Sequence, residues 1–182
     1  LEKSFGCTFA ETTAALPSVP GWRLSEAILR YFKSQGYDVL PAEVVGFEGQ
    51  DRRIQSVTVH YGAERMRLSA RQFILASGKF VGGGLQDREG LIREPIFSLP
   101  LFLQGRSLGE QGRRALFASS PNTHPPVFGV GVCVNEQGRP LGHRGEVLWD
   151  NLFACGRILS GCGVGADGSA SAVSLLSSTA II

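Results

Sequence analysis

Five glycines fall between Gly156 and Gly168, directly after the apolar triplet Leu152-Phe-Ala154. Glycine has no Cβ, so such a run lets backbone N–H groups come close to a flat ring or a phosphate. A helix that follows points its positive end at the same place. Donors aimed there stabilise negative charge, and a reduced flavin carries negative charge at its N1–O2 edge. The residues placed to make these contacts are Gly156, Arg157, Gly161, Asp167, Gly168 and Ser169. Asp167 is also a good helix N-cap. The competing reading is a ligand-free turn, because glycine-rich loops between strand and helix are common. A second segment, Phe73-Ile-Leu-Ala-Ser-Gly78, ends an apolar run in small residues, so Ser77 and Gly78 allow the same close approach.

Cations and proton acceptors complete the set. Lys79 follows Gly78 directly, and Arg93 lies in Arg93-Glu-Pro95, a loop stiffened by proline. An arginine fork or a lysine ammonium there can hold a substrate phosphate. For Arg93 the equal alternative is an ion pair with Glu94 that fixes the loop. His124, in Asn122-Thr-His-Pro-Pro126, can take a proton from a substrate hydroxyl, although an ordinary loop histidine has the same signature. His60 alternates outward in a strand pattern, and His143 sits in a polar turn. Cys7, Cys133, Cys155 and Cys162 contain no C-x-x-C pair, so buried reduced thiols are expected and no metal site.

The elements that must position these residues follow from periodicity. Leu24, Ala27, Ile28, Tyr31 and Phe32 repeat at helical spacing, and Gly36 is placed to cap that helix. Tyr37–Leu40 reads as a strand. Glu43–Phe47, Ile54–Tyr61 and Met66–Leu68 read as a three-stranded meander, with Val57, Val59 and Tyr61 alternating against Ser56, Thr58 and His60. Phe73–Ala76 lacks alternation and predicts a parallel strand buried on both faces. Val127–Val134 and Leu152–Ala154 predict further strands, and 169–182 a helix of small residues and leucines. The fold class expected is α/β: a partial Rossmann-like flavin-binding domain with a β-meander. Its parts are 1–78, an inserted substrate or cap region at 79–146 broken by repeated Pro and Gly, and a return to the flavin-binding domain at 147–182.

Composition narrows the partners. A hydrophobic share of 43% supports a core, and a formal charge of +2 without blocks of like charge argues against nucleic acid. No apolar run predicts a membrane span, and no signal peptide is visible, so a cytoplasmic location is expected. The chain starts at Leu1 and lacks a G-x-G-x-x-G fingerprint, which leads us to expect the C-terminal part of a larger enzyme.

In order along the chain stand Leu16-Pro-Ser-Val-Pro-Gly-Trp-Arg-Leu24, Phe73-Ile-Leu-Ala-Ser-Gly-Lys-Phe80 with Gly82-Gly-Gly-Leu85, Ile92-Arg-Glu-Pro-Ile96, and Asn151-Leu-Phe-Ala-Cys-Gly-Arg-Ile-Leu-Ser-Gly161. As an ordered set they resemble the B-subunit family of anaerobic glycerol-3-phosphate dehydrogenase, over nearly the whole chain. The resemblance implies a flavoprotein that holds FMN, or FAD, and oxidises sn-glycerol 3-phosphate to dihydroxyacetone phosphate. It implies two partners in one complex, a companion flavoprotein (its A-type component) and an iron–sulfur protein. Electrons would pass to a quinone, with membrane contact only through a partner. Alternatives are a docking or electron-transfer role without catalysis, and a flavin-dependent oxidoreductase of another small substrate. The chain departs from the family pattern after Gly161, with Cys162-Gly-Val164, and after Gly168, with Ser169-Ala-Ser-Ala172. The added Cβ atoms would narrow the approach to a ring.

Overall fold

The computed structural model describes residues 6, 19–110, 116–117, 125–162 and 176–179. The chain divides into two compact units, Leu1–Pro41 and Ala42–Ile182.

The first unit contains α1 (Val19–Ser34). Pro20 sits in its first turn, where a missing N–H costs nothing. Its C-terminus closes as a Schellman motif. Tyr37 N–H donates to Phe32 O at 3.0 Å and Gly36 N–H to Lys33 O at 3.1 Å, with Gly36 at φ +77°. The accompanying apolar contact is an edge-to-face pair of Phe32 and Tyr37, ring centroids 6.0 Å apart. The capping role of Gly36 is therefore as expected. The strand expected at Tyr37–Leu40 is absent, and those residues have no regular structure. Pro41 beyond them has no N–H to extend a ladder.

The second unit begins with a meander of β1 (Glu43–Gln50), β2 (Arg53–Tyr61) and β3 (Glu64–Ser69), antiparallel in that order. Asp51 and Arg52 both take positive φ, as a two-residue hairpin turn requires. Ile54, Val57 and Val59 face the core. The expected alternation is broken at two positions. Ser56 is buried, with its hydroxyl 3.5 Å from Glu48 Oε2, whereas Tyr61 at the strand end is exposed.

β4 (Phe73–Leu75) pairs in parallel with β10 (Leu152–Ala154), joining residues almost eighty positions apart. The parallel pairing matches the sequence, but burial on both faces does not hold: Ile74 is 61% exposed, because among the described residues this sheet has two strands. Asn151 fixes the junction. Its amide is buried, accepts from Ile54 N–H at 2.8 Å, and donates to Ile54 O at 2.8 Å and Arg71 O at 3.3 Å. The side chain thus imitates a strand partner.

Between these strands lie a hairpin of β5 (Gln86–Arg88) and β6 (Leu91–Arg93), and a sheet of β7 (Leu101–Leu103), β8 (Arg106–Ser107) and β9 (Gly131–Val132) in the order β8-β7-β9. The strand expected over Val127–Val134 shrinks to β9, and Pro126–Gly129 is a 3-10 turn. Pro125 and Pro126 cannot donate to a ladder, so pairing starts only after them. One apolar cluster joins Ile54, Leu75, Leu85, Leu101, Val130, Leu152 and Ile158. Residues 79–146 therefore share their core with the strands on either side. Residues 176–179 are helical, and the rest of the helix expected over 169–182 lies outside the described residues. No helix among the described residues is long and apolar enough to cross a membrane.

Candidate functional site

The chain leaves β4 through Ala76-Ser77-Gly78 and folds straight back on itself. Gly84 N–H donates to Lys79 O at 2.9 Å, and Gly83 N–H to Phe80 O at 3.2 Å. The loop is so tight that a Cβ on Gly82 would overlap Ser77 O, and one on Gly84 would overlap Gly78 O and Ser77 Oγ. Glycine is therefore a packing requirement at both positions. Beside this loop opens a groove of about 550 Å³, lined by Ser77, Gly82, Gly83, Gln86 and Arg88 with Glu43 and Val44 of β1 opposite. Ser77 Oγ is buried and has no hydrogen-bond partner. A buried hydroxyl without a partner is costly, and a ligand in the groove would relieve that cost once a local shift uncovers the oxygen.

The second glycine loop behaves differently. β10 runs through Cys155 into a 3-10 turn at Gly156–Ile158. Gly156 takes φ +74° and Gly161 φ +83°, so both positions need glycine. Their amides are already engaged. Gly156 N–H donates to Ser177 Oγ at 2.8 Å, and Gly161 N–H to Gly129 O at 2.9 Å. Ser160 N–H donates to Val132 O at 2.9 Å. This turn packs against β9, where a Cβ on Gly131 would strike the Ile158 and Leu159 backbone. Arg157 is half-buried. The expectation that Gly156 and Gly161 aim their N–H groups at a ring is therefore not met in this arrangement: each has an internal acceptor. Asp167, Gly168 and Ser169 lie outside the described residues.

Lys79 is turned inward. It is buried, and its ammonium donates to Phe128 O at 2.8 Å and Val130 O at 2.5 Å. Burial pulls its pKa down to about 8, an effect opposed by the nearby Cys162 thiol and reinforced by the Arg157 charge. A lysine held this way ties the end of β4 to the 3-10 turn before β9. It does not present a free cation to a phosphate.

Arg93 is exposed at the end of β6 and lines a different cavity from Ser77. The ion pair with Glu94 considered from sequence does not form. Glu94 is 1% exposed, and its carboxylate accepts the N–H groups of Ile96, Phe97 and Leu99 at 2.9, 2.7 and 3.3 Å. Burial pushes its pKa up, against the pull of those amides. Glu94 caps the turn that carries Ser98 at φ +54°. His124 lies outside the described residues. His60 accepts from Arg65 Nε at 2.8 Å, and His143 is exposed, with Nδ1 3.1 Å from Ser107 Oγ.

Of the two residues predicted on the first loop, Ser77 lines the groove and Gly78 does not; Gly82, Gly83 and Arg88, which sequence reasoning did not single out as site residues, line it as well. The signal for them was present in Gly82-Gly-Gly84, three consecutive glycines after a small-residue strand end. An orphaned hydroxyl and accessible glycine backbone at Gly82 and Gly83 beside a groove fit the flat edge of a flavin.

Residues 6–173 match the family model described as an FAD binding domain. Over 159 residues the chain is 30% identical to the B subunit of anaerobic glycerol-3-phosphate dehydrogenase from Vibrio cholerae serotype O1 (strain ATCC 39315), a match covering 84% of this chain and 34% of that protein. It is 33% identical over 162 residues to the protein of the same name from Yersinia pestis bv. Antiqua (strain Antiqua), covering 88% of this chain and 36% of that protein. It is 27% identical over 176 residues to the probable B subunit from Halobacterium salinarum (strain R1), covering 96% and 40%. The chain thus spans 34–40% of the length of these curated relatives. No solved structure gives a significant match.

Proposed function

The chain belongs to the FAD binding domain family, and on that premise we propose that it forms one wall of a flavin site in a protein that oxidises sn-glycerol 3-phosphate to dihydroxyacetone phosphate. Electrons then pass to a quinone through a companion flavoprotein and an iron–sulfur protein of the same complex. FAD is the flavin that the family description names, and FMN is the alternative. The observation that carries the reading is the Ser77 hydroxyl, without a partner among the described residues, in a loop so tight that Gly82 and Gly84 admit no Cβ. The names of the relatives support the substrate.

The bound flavin supplies a two-electron acceptor for the carbinol hydrogen. The chain's own residues do the rest. With a flavin bound, Ser77 Oγ would donate to, or accept from, the edge of the ring. Gly82 and Gly83 let that edge approach the backbone. Arg88, exposed at the groove, holds the substrate phosphate with its guanidinium fork, the role the sequence assigned to Lys79 and Arg93. Glu43 is the carboxylate among the described residues lining the groove, and it takes the hydroxyl proton as the carbonyl forms. The reaction is tested by adding glycerol 3-phosphate anaerobically to the full-length protein and following the visible flavin spectrum. Bleaching of the oxidised flavin supports the reading, as does its loss in Arg88→Gln. A spectrum unchanged by glycerol 3-phosphate, in protein that dithionite does reduce, contradicts it.

A further inference from the structure

A second cavity of about 430 Å³ lies on the other side of the β5–β6 hairpin and is not explained by the flavin reading. Its walls are apolar, with Leu91, Ile92, Leu99, Leu101 and Leu108 among them. Arg93 and His143 also line it, together with Ser98 and Glu94. Arg93 is exposed and makes no hydrogen bond or ion pair among the described residues. His143 is oriented. Its Nδ1 lies 3.1 Å from the buried Ser107 Oγ, and its ring lies 5.9 Å from the Phe102 centroid, which leaves Nε2 for a ligand. The carboxylate at the cavity, Glu94, is turned onto three backbone amides and does not pair with Arg93.

We propose that this cavity binds an organic phosphate monoester with an apolar body, its oxyanion on Arg93 and His143 and its hydrocarbon against the leucine walls. The argument is one of matching. A site of this volume falls in the range of small-molecule pockets. A bare phosphate would leave the leucines wet, and a polyol phosphate would place hydroxyls against carbon without partners. An apolar alcohol would leave the guanidinium with only water. The ligand that satisfies both halves has an oxyanion at one end and carbon at the other. Each buried methylene tightens binding about fourfold, so a short alkyl chain discriminates strongly between ligands that share the head group.

The test is calorimetric titration of the full-length, flavin-loaded protein with hexyl phosphate, inorganic phosphate and hexanol. Hexyl phosphate is expected to bind at least tenfold more tightly than either of the others. Arg93→Gln should weaken hexyl phosphate at least tenfold. Leu91→Asn, at a position already 56% exposed and so tolerant of change, should weaken hexyl phosphate several-fold and leave inorganic phosphate as it was. Equal affinity for hexyl phosphate and inorganic phosphate overturns the proposal, and so does hexyl phosphate binding that is indifferent to Arg93→Gln. The flavin is read independently. Loss of the flavin-site reading leaves this cavity standing, and the reverse also holds.

Discussion

Lys79 and Glu94 are charged residues that the fold takes inside, and each makes a prediction about pH or stability. Lys79 has its pKa lowered from 10.5 to about 8 by burial. A base depressed in this way contributes stability that is present above the unfolded value and lost as pH falls through the folded one. The stability advantage of the natural chain over Lys79→Met should therefore be largest above pH 10.5 and shrink towards pH 8, as read from urea midpoints at several pH values. A gap independent of pH over that window would show that the amine is solvated. Glu94 shifts upward instead. Removing its carboxylate leaves three buried N–H groups without acceptors, so Glu94→Ala should cost about 3 kcal/mol in urea denaturation, at the upper end for one side chain.

At the scale of elements, the junction of β2, β4 and β10 rests on one amide. Asn151→Ala removes three hydrogen bonds inside the core, two of them to Ile54 and one to Arg71. It should destabilise the second unit by about 3 kcal/mol and lower the thermal midpoint accordingly. A change under about 0.5 kcal/mol would mean that strand pairing alone holds the junction. The meander was readable in the sequence because alternating β-branched residues and their turns are local signals, and the two parallel strands because short apolar runs without alternation are another. Gly36 was readable for the same reason. The inward turn of Lys79 was not, since its acceptors Phe128 O and Val130 O lie some fifty residues away. The pairing of Glu94 with Arg93, one of two equal readings of the sequence, does not form, because sequence adjacency carries no information about which amides a carboxylate faces. The shortening of the strand at Val127–Val134 was foreseeable from Pro125-Pro126, two residues without N–H groups.

At the scale of the whole molecule, the two glycine loops at the ends of neighbouring parallel strands have separate tasks. The loop after β10 satisfies its described amides internally and packs against β9. The loop after β4 leaves a buried hydroxyl without a hydrogen-bond partner among the described residues, in a residue that lines a groove. Sequence reasoning placed the main cofactor contacts on the later loop because it is richer in glycine. The described amides of the later loop have internal acceptors, and the proposed flavin site rests on the earlier one. This location also explains why cations that look equivalent in sequence are separated: Arg88 lines the groove, Arg93 a second cavity, and Lys79 the interior.

The central claim is that Ser77 meets the flavin, and Ser77→Ala in the full-length protein tests it most directly. Removing an unpartnered hydroxyl should leave the thermal midpoint of the flavin-free protein unchanged or slightly raised, while flavin affinity falls about tenfold, the equivalent of one net hydrogen bond. A variant that keeps wild-type flavin affinity, or one that loses stability without flavin, would contradict the account.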